Sequence, residues 1–181
     1  MNLNQWFEKA ITAEEYINSM NKNKEGLLHI YNQFHTPDDE SFFQRIKNKN
    51  LRVVVLTEDW CGDAMLNVPI LLRLAENSNI EVRMLYRDQN LELMDQYLTN
   101  GKSRSIPIFI FINDQGEEVA KWGPRAEIVQ QFVDESRSKL PTQDAPDYEE
   151  KAKALYQNMN QTFIKNRDFW NEVYQSIKQV L

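Results

Sequence analysis

The chain holds one cysteine, Cys61, in the stretch "TEDWCGDAMLNVP" from Thr57 to Pro69. It lies between Trp60 and Gly62, where a strand-like run gives way to a helix-like one. A thiol at a helix N-terminus gains from the macrodipole and from free backbone N–H groups, both of which favour the thiolate. Glu58, Asp59 and Asp63 oppose this, because like charge disfavours a second anion. The expectation is an exposed sulfur with a pKa moderately below that of a free thiol. Three residues on, where a second cysteine would make a redox pair, stands Ala64. A lone thiol can form a mixed disulfide but needs an external thiol to release it. The alternative is that Cys61 is a buried small hydrophobe. Trp60 is either a recognition surface or an aromatic packed beside the turn. Asp63 is either an acid–base group for the sulfur or an acid placed for the helix dipole. His29 and His35 are six apart, not a helical ligand spacing. Cys61 with Asp59 and Asp63 would lack the usual imidazoles, so neither a metal nor a cofactor is expected.

These residues need elements to hold them. "LRVVVLT" at Leu51 to Thr57 has the β-branched character of a central strand buried on both faces. "CGDAMLNVPILLRLAEN" has helical period, with Met65, Val68, Leu71, Leu72 and Ala75 inward and Pro69 predicting a kink. "IEVRMLYRD" predicts a second strand, and "NLELMDQYLTNG" a helix closed by Gly101. "IPIFIFINDQGEEVAKWG" predicts two strands joined by a tight turn, and Gly123-Pro124 the start of the helix "RAEIVQQFVDESRSKL". The first fifty residues predict helices, with a capping box at Thr12 to Glu15 and a second start at Thr36-Pro37. After the polar connector "PTQDAPD", the apolar residues Tyr148, Ala152, Leu155, Met159, Phe163, Trp170, Val173 and Ile177 form a helical stripe. That stripe predicts core packed on the N-terminal helices, or else a partner or dimer face.

With 181 residues, 41% hydrophobic, the chain can bury a substantial core. A net charge of -6 argues against a nucleic-acid surface, which needs clustered basic groups. No apolar run approaches the roughly 18 residues of a membrane span. The N-terminus lacks a basic region followed by an apolar stretch, and one cysteine cannot make an internal disulfide, so a reducing cytoplasm is expected.

The ordered set of "WCG" after the first strand, Pro69 eight residues beyond Cys61, "YRDQN", "RSIP" at Arg104 to Pro107 and Gly123 resembles the thioredoxin-fold superfamily. The resemblance covers about residues 51–140. It implies an α/β thioredoxin-like fold, a mixed central sheet flanked by helices, with an N-terminal helical extension (1–50). Residues 141–181 would form a connector and a long C-terminal helix packing on the domain. It further implies that Pro107 is cis and that the Ile106 backbone pairs with a substrate peptide. Arg104 and Lys102 could supply positive charge for the carboxylate of a small thiol, or be solvated loop residues. The family motif W-C-G-P-C reads here Trp60, Cys61, Gly62, Asp63, Ala64. The family's buried aspartate is replaced by Val55, and its lysine partner by Met84.

Two functions follow as expectations. In the first, Cys61 acts as the catalytic residue of a monothiol thiol-disulfide oxidoreductase. It would exchange with protein thiols or with a small thiol such as glutathione or bacillithiol, in a monomer or weak dimer. In the alternative, the chain is a non-catalytic thioredoxin-fold binding module or a redox sensor, and Cys61 does not turn over.

Overall fold

Three of the helices begin at a residue whose side chain supplies the cap: Thr12, Asp39 and Asn166. In the computed structural model, which describes residues 2–181, Asn4–Lys9 form α1 and Ile11–Thr12 a short strand, β1. Thr12 caps α2 (Ala13–Ser19) with the full capping box read from the sequence. The Glu15 amide donates to the Thr12 hydroxyl at 3.1 Å, and the Thr12 amide to the Glu15 carboxylate at 2.8 Å. α3 spans Lys24–Gln33 and α4 spans Glu40–Lys47. The second predicted start is displaced: Asp39, not Thr36, caps α4, accepting from the Phe42 amide. The Thr36 hydroxyl instead accepts from the Asn77 side chain at 3.0 Å, a tertiary contact that the local signal cannot show.

β2 (Arg52–Thr57) runs into α5 (Gly62–Ser78), which carries Pro69 in its interior, and then into β3 (Glu81–Tyr86). The helix expected up to Gly101 is much shorter: α6 is Leu91–Met94. Beyond it the Thr99 and Ser103 backbones bridge, and Gly101 turns with φ +67. β4 (Ile108–Ile112) and β5 (Glu118–Trp122) form the predicted hairpin. α7 is Glu127–Arg137, beginning three residues beyond Pro124. Pro124 and Arg125 are drawn inward instead, the Pro124 carbonyl accepting from the buried Asn67 amide at 3.0 Å. The C-terminal stripe divides at Asn166 into α8 (Tyr148–Lys165) and α9 (Arg167–Val180). The Asn166 side chain caps α9, accepting from the Asp168 and Phe169 amides.

The five strands lie in the order β1-β3-β2-β4-β5, with β2 and β3 parallel and the other pairs antiparallel. This is the mixed thioredoxin-like sheet, with β1 added at one edge. The central β2 has Val53 to Leu56 fully buried, as its unbroken apolar run demands. Val55 and Met84 face each other in register across β2 and β3, both buried. The charged pair that the resemblance would place there is replaced on both sides by apolar groups, so this position buries no charge.

The core runs without interruption from Leu3 in the first helix to Ile177 in the last. α8 joins it through Phe163, whose ring meets Phe132 of α7 and Phe169 of α9. At the α8–α9 break the buried Trp170 indole N–H donates to the Phe163 carbonyl at 2.7 Å. Trp170→Phe removes that donor and leaves a void. Loss of the hydrogen bond and of the packed volume together should cost about 2 kcal/mol. Urea titration monitored by circular dichroism checks this; a loss below about 0.5 kcal/mol would show that α8 is anchored elsewhere.

Candidate functional site

β2 delivers Trp60 and Cys61 to the head of α5, and Cys61 occupies the N-cap position. Its side-chain sulfur makes no capping bond there. The thiol points back into the protein and donates to the Ile106 carbonyl at 3.5 Å. Cys61 is 8% exposed. Burial pushes its pKa up to about 11, and the Asp63 carboxylate adds to the shift, while the Ala64 and Asp63 amides and Arg125 oppose it. The sequence expectation of an exposed, moderately acidic thiol is therefore wrong. Desolvation of the thiolate outweighs the helix N-terminus.

Part of the wall beside Cys61 comes from α8. A cavity of about 450 Å³ at the head of α5 is lined by Trp60, Cys61, Gly62 and Asp63 on one side. Arg125, just before α7, Arg137 at its C-terminal end, and Tyr156, Met159, Asn160 and Phe163 of α8 line the rest. α8 approaches so closely that a Cβ on Gly62 would lie 2.2 Å from the Asn160 side-chain oxygen. The Asn160 side chain would have to turn aside for any larger residue at this position. Asn160 also lines a larger, neighbouring cavity of about 780 Å³ between α8, Met20, Asn21, Asn23 and α3. The stripe assigned to packing on the N-terminal helices thus also walls the head of α5.

Asp63 has a definite role that neither sequence reading foresaw. Its carboxylate is held bidentately by Arg125, with Nε donating to Oδ1 at 2.7 Å and Nη2 to Oδ2 at 2.6 Å. Both side chains are nearly buried, and Arg125 also donates to the Gln130 side chain at 2.8 Å. Burial works against the guanidinium charge, but Asp63 more than offsets it and raises the pKa of Arg125. The pair ties α5 to the segment between β5 and α7. It leaves Asp63 unavailable as an acid or base for the sulfur.

The other predicted residues are placed as follows. Trp60 is 44% exposed at the rim, with the Arg87 guanidinium 5.0 Å from its ring centroid. Ala64 is buried under the first turn of α5, in the position of the missing thiol. Ile106–Pro107 is cis. Ile106 is buried and its carbonyl is taken by the Cys61 thiol, so the backbone expected to pair with a peptide is occupied. Arg104 does not line the cavity, and its guanidinium makes an exposed ion pair with Asp95 at 2.7 Å. Among the described residues, no group of three or more His, Cys, Asp or Glu is placed to hold a metal ion. No helix among the described residues is long and apolar enough to cross a membrane. Arg125, Arg137, Tyr156 and Asn160 were missed. The signal for two of them was the spacing of Tyr156, Met159, Asn160 and Phe163, one helical face whose target the sequence does not name.

This sheet and its modified turn define a thioredoxin-fold protein without a dithiol. The sequence model of the Thioredoxin_9 family, described as thioredoxin, matches residues 10–139, and the chain belongs to that family. None of the curated proteins matches the sequence. Among solved structures, a protein of unknown function from Pseudomonas aeruginosa superposes with a TM-score of 0.63 at 13% identity, covering 97% of this chain and 96% of that one. An HIV epitope-scaffold superposes with a TM-score of 0.62 at 15% identity, covering 97% of this chain and 99% of that one. At these identities the likeness is one of fold.

The expectation of a monothiol thiol-disulfide oxidoreductase is overturned. Its one thiol is buried, held protonated and bonded to the Ile106 carbonyl, and the position of a second thiol is filled by Ala64. A nucleophile for disulfides must be a thiolate that the substrate can reach. Cys61 meets neither condition, and the exchange partners inferred from it, protein thiols or a small thiol, lose their basis.

Proposed function

We propose that this protein is a non-catalytic thioredoxin-fold binding module whose ligand enters the cavity between α5, α7 and α8. The observation that carries this reading is the burial of Cys61 beside a cavity walled in part by α7 and α8, with Val55 and Met84 in place of the proton relay. The residues 51–140 supply the scaffold, and the additions 1–50 and 141–181 supply support and walls. Trp60, Cys61, Gly62 and Asp63 form one side of the binding surface; Ala64 packs beneath it, backed by Ile106 and Pro107. The single unpaired cysteine suits a cytoplasmic setting.

Reaction with iodoacetamide tests the reading. At pH 8 a thiol with a pKa near 11 is about one part in a thousand thiolate, against roughly a quarter for a free thiol near 8.5. Alkylation of native protein should therefore be on the order of 100-fold slower than in urea, and its rate should climb towards pH 11. In parallel, wild type and Cys61→Ala should be equally inert in dithiothreitol-driven insulin reduction. Native alkylation as fast as in urea, or turnover that depends on Cys61, would overturn the proposal.

A further inference from the structure

We infer that the cavity takes a small monocarboxylate carried on an apolar body, with Arg137 as its anchor. The inference rests on reading this cavity as the binding site and adds the class of ligand. Its volume of about 450 Å³ falls in the range of small-molecule sites. The walls are mostly apolar: Trp60, Met159 and Phe163, with the ring of Tyr156 at the rim. Two guanidinium groups stand against one carboxylate, and the carboxylate, Asp63, is fully engaged by Arg125. One net positive charge is left in the lining, and it belongs to Arg137.

Among the described residues Arg137 pairs with no carboxylate. Its guanidinium instead lies 5.9 Å from the centroid of the Tyr156 ring. It is therefore held at the cavity wall with its donors unclaimed by any acid. A planar guanidinium matches a carboxylate bidentately, and the neighbouring ring offers a face for the apolar body. The Asn160 amide, beside Gly62, gives a neutral polar contact that can fix orientation. A neutral apolar molecule would leave Arg137 unpaired. A dianion would carry one charge that Arg125 cannot answer without giving up Asp63.

Isothermal titration of the full chain with decanoate and with 4-phenylbutyrate, each beside its primary amide, tests the assignment. At least one acid should bind about 10-fold more tightly than its amide, the low end expected for a charge-assisted pair that is partly exposed. Arg137→Gln should bring that acid to the affinity of the amide and leave the amide unchanged. Tyr156→Ala should weaken acid and amide alike. Both side chains sit at the surface, so melting curves close to wild type are expected and show that the fold is retained. Equal binding of acid and amide, no binding of either acid, or acid affinity unchanged in Arg137→Gln would each overturn the inference. None of these results touches the non-catalytic reading, which fails instead through turnover that depends on Cys61.

Discussion

Arg125→Ala should destabilise the protein by about 3–5 kcal/mol, because it leaves the Asp63 carboxylate buried without its partner. The geometry is what makes the effect large. Two charge-assisted hydrogen bonds of 2.7 and 2.6 Å hold the pair, with the side chains only 11% and 12% exposed. Exposed pairs such as Lys151–Asp147 are screened by solvent and contribute far less. The loss in Arg125→Ala is mostly the penalty of an unpaired charge, so the double variant Asp63→Leu with Arg125→Met should recover most of it. Urea denaturation of the two variants makes the comparison. A single variant that loses less than about 1 kcal/mol would show that Asp63 finds water or another partner.

The second large effect belongs to Gly123, at the end of β5. Its φ is +128, in the region where a side chain is strained. An added Cβ would also lie 2.2 Å from the Pro107 carbonyl oxygen and 3.2 Å from the Ile108 Cα. Backbone atoms cannot swing aside as a side-chain tip can, so Gly123→Ala must move one strand end against the other. Strain of about 1–3 kcal/mol for the conformation adds to the clash, and a total of roughly 3 kcal/mol or more is expected. Movement there would also disturb Ile106, which holds the Cys61 thiol. Alkylation of Cys61 in the folded variant should therefore be faster than in wild type. A variant with wild-type stability and an unreactive thiol would mean that the strand ends part without cost.

Much of this molecule is written in local pattern. The β-branched run Arg52–Thr57, the capping box at Thr12 and the hairpin about Asn113–Gly116 depend on neighbours a few residues away, and each appears where the sequence places it. The added strand β1 does not, because two residues carry no period and pair only once β3 exists. The end of α6 was not legible either: past Asp95 the backbone turns to i to i−3 bonds at Gln96 and Tyr97 and then to the Thr99–Ser103 bridge.

The site divides along the same line. The sequence alone determined that Cys61 heads a helix, that Ala64 denies it a second thiol, and that Asp63 stands where a proline would be. Whether that thiol is a nucleophile was decided by residues far along the chain, from Ile106, 45 positions away, to α8. α8 and α7 wall the cavity at the head of α5, Arg125 claims Asp63, and the thiol turns to the Ile106 carbonyl. The helix dipole acts within the chain segment and can be read from it. Desolvation depends on what the rest of the chain packs against the sulfur, and here it is the larger effect.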